Sequence, residues 1–325
     1  MGGAGPNRHG RREPAYGGRV LGVLEGFGVI GAIIATGFAL GHFGFLDMRD
    51  QQTLARVAFW VATPALLVTL LADADLAVVF GSTFVPQVAG IGIIAMVTAI
   101  IWRLAYRADV PTATIAVLDT TFINSVNLGI PVAMYALGDA AAVIPMLVIQ
   151  ALLQPISLAV LDVSTSLGER SVLTSLLRPL VNPLNVATAI GILLSATGWE
   201  LPRVIEEPVR LVGGISVPAM LLAYGLSLRL GPRPGSDGGF GPTLVASALK
   251  LIGLPAVVIG IGAGLLGLRG HDLLTIAVVA ALPTAQNIFI QASAYNRGVV
   301  LSRDTIFATT VLSVPVILVI TALLA

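Results

Sequence analysis

Apolar runs of about 20 residues, the length that a helix needs to cross a bilayer, follow one another along almost the whole chain. Short polar stretches, or stretches rich in glycine and proline, separate them. The pattern predicts ten membrane-spanning helices at 22–45, 53–72, 84–105, 113–137, 140–161, 183–198, 209–228, 243–267, 272–295 and 304–325. The predicted fold class is therefore an all-α polytopic membrane protein.

The sequence repeats itself at an offset of 154 positions. Residues 35–67 fall on 189–221 with nine identities, among them Gly37 on Gly191. Each half holds five predicted spans. Because five is an odd number, the second half must have the opposite membrane topology to the first. The predicted units are a disordered tail at 1–19, a first five-helix repeat at 20–163, a central cytoplasmic loop at 164–182 and a second, inverted repeat at 183–325.

Composition narrows the class of protein further. Apolar residues make up 56% of the chain and charged residues 11%, whereas soluble domains carry about 25% charged residues. Cysteine is absent, which excludes disulfides, thiolate metal sites and thiol nucleophiles. The three histidines are scattered and no HExxH or GxSxG pattern occurs. We therefore expect no enzyme activity, no cofactor, no metal site and no nucleic-acid partner.

The distribution of lysine and arginine predicts the orientation in the membrane. Eleven lie in or beside the loops that follow odd-numbered spans, against three for the even-numbered loops. By the positive-inside rule the odd loops are cytoplasmic and both termini lie outside. The N-terminal tail disagrees, because its four arginines would then lie outside: Arg8, Arg11, Arg12 and Arg19.

Polar residues cluster beside prolines in predicted spans four and nine. Proline and glycine disfavour helix, so span four is expected to break around 127–131 and span nine at Pro283. A break at membrane depth must be covered by protein or line a wet cavity. The candidate substrate-binding residues are Asn124, Ser125, Asn127, Gly129, Pro131, Pro283, Gln286, Asn287 and Gln291. The alternative is a pair of proline kinks whose amides only hold neighbouring helices together.

Four further polar residues within the predicted spans are candidates for a role in transport or at the membrane interface: Asp119, Gln150, Gln154 and Lys250. Asp119 is a candidate for coupling, because an acid inside a membrane span is expensive and often functional. The alternative is a carboxylate near the membrane boundary that hydrogen-bonds Thr120 or a neighbouring helix. Gln150 and Gln154 share a face of span five and are candidates for lining the same cavity. Lys250 is expected to extend its side chain to the membrane interface.

Several motifs together resemble the auxin efflux carrier family, which includes bacterial malate and malonate permeases. They are Asn127-x-Gly129-x-Pro131, Pro283-Thr284-Ala285-Gln286-Asn287, Asn182-Pro183 and Pro218-Ala219-Met220-Leu221. The resemblance implies ten helices in two inverted five-helix repeats. In that arrangement helices 1, 2, 6 and 7 form a scaffold, and helices 3–5 and 8–10 form a transport domain. Helices four and nine would cross at Asn127, Pro131, Pro283 and Asn287, and the scaffold would form a homodimer. The long central domain of the plant members is missing here.

The predicted site favours a negatively charged substrate. A broken helix presents the N-terminus of its second half, which carries free N–H groups and partial positive charge, and such ends bind anions. The expected function is a secondary transporter that moves small organic anions, either dicarboxylates or auxin-like acids, by alternating access. A proton- or sodium-coupled symporter and an anion channel remain as alternatives. The expected location is the cell membrane, as a multi-pass protein of a bacterial inner membrane surrounded by lipid.

Overall fold

A computed structural model describes residues 16–74, 80–165, 183–230 and 240–324. Within these ranges the chain is helical and has no β-strand, apart from one isolated β-bridge. The helices in chain order are α1 (Tyr16–His42), α2 (Met48–Ala72), α3 (Phe84–Ala105), α4 (Val110–Thr121), α5 (125–137), α6 (Ala140–Ser164), α7 (Pro183–Thr197), α8 (Arg203–Leu230), α9 (Phe240–Leu265), α10 (Gly270–Ala280), α11 (Asn287–Tyr295) and α12 (Val299–Leu324).

Six of these helices, α2, α3, α6, α8, α9 and α12, are long and apolar enough to cross a membrane. Three shorter apolar segments, Gly28–His42, Pro183–Thr197 and Gly270–Ala280, accompany them. Large apolar side chains point away from the protein on several helices, as lipid-facing residues do, for example Leu104 on α3 and Leu323 on α12. The prediction of an all-helical, multi-pass membrane protein is confirmed at this level.

Two segments predicted as spans are interrupted. Predicted span 113–137 consists of α4 and α5, separated by residues 122–124, and predicted span 272–295 consists of α10 and α11, separated by residues 281–286. The break predicted at Pro283 is where the structure has it. The break predicted at 127–131 is wrong in position, because the helix is interrupted several residues before Asn127, at 122–124.

The span-four break is displaced because a wide helical turn accommodates the proline. Residues 125–129 form a π-helical turn, in which the amide of Gly129 donates to the carbonyl of Asn124 over 2.8 Å. Such a turn absorbs an irregularity without ending the helix. Pro131 therefore lies inside α5, and the helix is interrupted earlier, at residues 122–124, where Phe122 has an extended backbone with a ψ of 114°.

Aspartates fix the starts of several helices, as expected of residues that cap orphan amides. Asp47 accepts from the amides of Arg49 and Asp50 at the start of α2, and these two bonds lower the pKa of its carboxyl. Asp109 accepts from the amide of Thr112 at the start of α4. Asp139 does the same for Ala141 at the start of α6.

Helices from the two halves of the sequence pack closely against each other. Helix α1 lies along the second part of α8, and α7 lies along the second part of α2. A Cβ on Gly37 would collide with the main-chain oxygen of Leu222, and one on Gly191 would lie 2.5 Å from Leu71 Cβ. Both contacts require glycine, since any side chain would push the helix backbones apart.

The predicted ends and connections fall partly outside the described residues. The tail predicted to be disordered at 1–19 overlaps α1, which begins at Tyr16, while residues 1–15 lie outside the description. Of the central loop predicted at 164–182, residues 166–182 are likewise outside it.

Candidate functional site

The two interrupted helices meet at their breaks. Ile123 and Thr284 form an antiparallel β-bridge, in which the amide of Asn124 donates to Pro283 O over 2.7 Å and the amide of Ala285 donates to Phe122 O over 3.1 Å. We call residues 122–124 and 283–285 the crossing. Each break frees backbone groups that lipid cannot satisfy, and here the two breaks satisfy each other.

The side chain of Gln150 on α6 forms hydrogen bonds with the first segment of the crossing, residues 122–124, and with Ser125 beside it. Its Nε2 donates to Ile123 O over 2.7 Å, and its Oε1 accepts from the Ser125 hydroxyl over 3.1 Å. The predicted polar face of span five is thus brought to the break through Gln150. Gln154, one turn further along α6, is half-buried and has no hydrogen bond to a described residue.

Thr284 anchors the second segment of the crossing, residues 283–285, through two hydrogen bonds. Its hydroxyl donates to the main-chain oxygen of Asp119 over 2.6 Å, and its amide donates to the Thr309 hydroxyl over 3.1 Å. Thr284 and Thr309 are both fully buried. Helices α4, α10 and α12 are therefore linked around the crossing by hydrogen bonds that need no side-chain charge.

The start of α5 packs tightly against the opposite break. A Cβ on Gly129 would lie 3.0 Å from Leu282 Cδ1 and 3.1 Å from Asn124 O. Asn124, Ser125 and Pro131 are buried around it. The side chain of Asn127 lies outside the described part of the structure. Glycine at position 129 thus allows the N-terminal end of α5 to approach the crossing.

The side chains at the start of α11 are more exposed than those at the start of α5. Gln286 and Asn287 are half-buried and their side chains have no hydrogen bond to the described residues. Gln291, one turn further on, is 8% exposed, and its Oε1 has no hydrogen-bond partner in the described chain. Three amide side chains with unused hydrogen-bonding capacity therefore extend from the crossing along α11.

Asp119 is buried completely near the end of α4. Its Oδ1 accepts from the Ser302 hydroxyl of α12 over 2.8 Å, and its Oδ2 has no hydrogen-bond partner among the described residues. Asp119 thus hydrogen-bonds a neighbouring helix, as one interpretation of the sequence expected, and it lies inside the bundle beside the crossing.

Lys250 also lies inside the protein, and the expectation that it reaches the membrane interface is wrong. Its side chain is fully buried within the helical turn 249–253 of α9. Its Nζ donates to the main-chain oxygen of Ala280, the last residue of α10, over 3.0 Å. The inward face of α9 at this turn, packed against neighbouring helices, keeps the side chain from extending to solvent.

Polar contacts also join the far ends of the interrupted helices. The Tyr295 hydroxyl at the end of α11 donates to Asp162 Oδ1 of α6 over 2.5 Å. Arg297 forms an ion pair with Asp109 over 3.1 Å. The pKa of the Asp109 carboxyl is lowered, chiefly by its hydrogen bond with Thr112 and less by the charge of Arg297. Both partners of the ion pair are largely exposed, so its contribution to stability is small.

Sequence reasoning missed the residues of α12 that support the crossing. Ser302, Thr305, Thr309 and Ser313 recur every three or four residues and are all buried, so they form one polar stripe on a helix. That spacing is the signal that identifies them from sequence. Thr284 was visible as a hydroxyl beside Pro283, but nothing in the sequence indicates that it bonds Asp119.

The chain is similar in sequence to membrane transport proteins. Residues 167–321 match a family described as "Membrane transport protein". A protein of Methanothermobacter thermautotrophicus named "Uncharacterized transporter" is 28% identical over 284 residues, which cover 86% of this chain and 91% of that protein.

Plant proteins match over shorter stretches. "Auxin efflux carrier component 7" of Arabidopsis thaliana is 31% identical over 161 residues, or 47% of this chain and 25% of the carrier. "Probable auxin efflux carrier component 5b" of Oryza sativa is 35% identical over 122 residues, or 37% of this chain and 32% of the carrier. The chain thus matches about a quarter to a third of these plant carriers. The resemblance to the auxin efflux carrier family is confirmed.

Proposed function

We propose that this chain, a membrane transport protein related to the auxin efflux carriers, moves small organic anions across the membrane by alternating access. The observation that carries the proposal is the crossing, where two interrupted helices exchange backbone hydrogen bonds at Ile123 and Thr284. Secondary transporters bind substrate at such interrupted helices, near the middle of the bilayer.

The chemistry beside the crossing suits a carboxylate. The N-terminal ends of α5 and α11 begin immediately after the two breaks, and each end carries unpaired amides and partial positive charge. Gln286, Asn287 and Gln291 add side-chain amides with unused donors. In this proposal the substrate site is formed by these residues together with Asn124, Ser125, Asn127, Gly129, Pro131, Gln150, Gln154 and Pro283.

The moving parts follow from the packing between the two halves. In the proposal residues 20–163 and 183–325 are inverted five-helix repeats, and α1, α2, α7 and α8 form the scaffold. The paired glycine contacts at Gly37 and Gly191 support it, since they hold the scaffold helices too close for sliding. The remaining helices surround the crossing and move as a transport domain against the scaffold. The scaffold is also the proposed surface of a homodimer.

The proposed substrates are dicarboxylates or auxin-like acids. The matched plant proteins are named for auxin efflux, and a site of backbone ends and amides accepts either class of carboxylate. We place the protein in a bacterial inner membrane. Its driving force in this proposal is the membrane potential acting on the substrate's own charge.

A second candidate is proton-coupled symport, and one observation favours it. Asp119 is fully buried beside the crossing, and its Oδ2 has no hydrogen-bond partner among the described residues. A buried acid with spare capacity is a common element of proton relays in transporters.

Uptake by the purified protein in liposomes tests the proposal. Radiolabelled malate and indole acetate are supplied at a fixed membrane potential, with a neutral sugar of similar size as control. We expect saturable uptake of at least one acid, competed by other acids and not by the sugar. Transport of neutral solutes only would contradict the proposal, and single-channel currents in a planar bilayer would identify a channel instead.

A further inference from the structure

Lys250 is a fully buried lysine that has no acidic partner among the described residues. Its side chain is fully buried, and no carboxylate of the described chain forms a salt bridge with it. The turn that carries it, 249–253, packs against α3, α4 and α12. A buried charge without compensation costs free energy. An ammonium group at Lys250 therefore needs a compensating group beside it.

The single hydrogen bond of Lys250 indicates what it compensates. Its Nζ bonds Ala280 O over 3.0 Å, and Ala280 is the last residue of α10, immediately before the break. The C-terminal end of a helix carries partial negative charge and carbonyl oxygens without helical partners. In interrupted membrane helices, such half-helix ends and unwound carbonyls coordinate Na⁺ or H⁺.

The corresponding end of α4, before the other break, is arranged differently. Thr98 lies 152 positions before Lys250, the same spacing that separates Pro131 from Pro283. Thr98 is buried and shares a hydrogen bond of 2.9 Å with the Thr120 hydroxyl near the end of α4. The carbonyl of Asp119 on that side is met by the neutral hydroxyl of Thr284. A lysine thus lies beside the break in span nine, where the corresponding position in the first half is a threonine.

We propose that the Lys250 ammonium is a built-in cation that occupies, at the broken end of α10, the place an alkali cation would otherwise take. The inference rests on the proposed function and deepens it. Because the cation is covalently attached, the substrate site is complete without Na⁺ or K⁺. Anion flux then needs no inorganic cation, and removal of the side chain leaves a vacant cation site.

Chemical rescue of Lys250→Ala tests this directly. The atoms removed correspond to n-propylammonium, and 1-propanol is a neutral probe of similar shape. Thermal unfolding of purified protein is measured with each probe and with Na⁺, at constant ionic strength. We expect Lys250→Ala to have a lower Tm than wild type and to regain stability with propylammonium or Na⁺ but not with 1-propanol. Wild type should respond to none of the three.

Thr98→Val provides the matched control, since it removes a buried polar contact at the corresponding position without removing a charge. Its stability should not depend on any cation. A cation response in wild type, no loss of Tm in Lys250→Ala, or a loss that propylammonium and Na⁺ fail to restore would each overturn the inference. These readouts do not depend on transport, so they hold even if no organic acid proves to be a substrate.

Flux measurements supply the second arm, which also covers the case in which Lys250→Ala does not fold. In choline buffer, wild type should transport at the rate seen in sodium buffer. Lys250→Met should lose at least about tenfold, the factor that one hydrogen bond to a charged group is worth, while Lys250→Arg retains most of the flux. Normal flux in Lys250→Met, or equal loss in the Met and Arg variants, would contradict the role of the charge.

Discussion

Thr63 of α2 and Ser216 of α8 share a buried hydrogen bond of 2.7 Å between their hydroxyls. The two residues are 153 positions apart, one less than the offset of the sequence repeat. Residues near equivalent positions of two inverted repeats come together close to the axis that relates them. The bond therefore lies where the proposed two-fold relation between the halves of the scaffold would pass.

Gly37→Ala should destabilise the scaffold, because a methyl group would collide with the backbone of α8 at Leu222. Overpacking of this kind costs about 1–3 kcal/mol. Gly31→Ala, on the same helix, is the control, since nothing lies within 4 Å of the added Cβ. We expect a lower Tm in detergent for Gly37→Ala and an unchanged or higher Tm for Gly31→Ala. Equal behaviour of the two variants would contradict the close packing of α1 on α8.

The orientation is testable because the chain contains no cysteine. Gln52 and Glu200 are exposed near opposite ends of the scaffold, after predicted spans one and six respectively. We expect a membrane-impermeant thiol reagent to label Glu200→Cys from outside intact cells and Gln52→Cys only after the cells are opened. The reverse pattern would show that the N-terminal arginines determine the orientation.

Asp119 separates the two modes of energy coupling. In the potential-driven mode, the acid only positions α4 through Ser302, so Asp119→Asn should keep the pH profile of wild-type flux. The rate should then follow the membrane potential, at about 2.3 kcal/mol per unit charge per 100 mV. Flux is measured in liposomes at set pH and set potential. A pH dependence in wild type that is flattened in Asp119→Asn would instead support proton coupling.

Sequence alone predicted part of the crossing. The break at Pro283 was predictable because proline lacks the amide that a helix needs. Gln150 was predicted to line a cavity; the structure shows that its side chain bonds Ile123 O at the break in span four. The break in span four was misplaced for an equally physical reason. A π-helical turn at 125–129 keeps Pro131 within a helix, and whether a turn widens depends on tertiary contacts that local sequence does not contain.

The buried positions of Lys250 and Asp119 could not be predicted from sequence, for a different reason. A lysine two turns into a helix can reach the interface or point inward, and the choice depends on which face of the helix is covered. For Lys250 the deciding contact is Ala280 O, 30 residues away in the chain. Asp119 likewise meets Ser302, which is 183 residues away. Such long-range partners are fixed by the packing of interrupted helices and leave no local pattern.

The central claim is that the transported anion binds beside the crossing, at the starts of α5 and α11, and flux through Asn287→Ala tests it most directly. Asn287 is the first residue of α11 and has no side-chain hydrogen bond to a described residue. Loss of one or two hydrogen bonds to a carboxylate, at about 1.5–3 kcal/mol each, should lower transport at least about tenfold. Asn127→Ala, in the first turn of α5, should do the same.

The control is Gln87→Leu, which removes an amide buried in α3 whose one hydrogen bond with the described residues is to Thr83 O, just before the start of that helix. Initial rates of organic acid uptake are measured in liposomes that contain equal amounts of each folded variant. The account predicts strongly reduced uptake for Asn127→Ala and Asn287→Ala, with unchanged Tm, and near-normal uptake for Gln87→Leu. Normal uptake in both asparagine variants would show that the crossing is structural and that the substrate binds elsewhere.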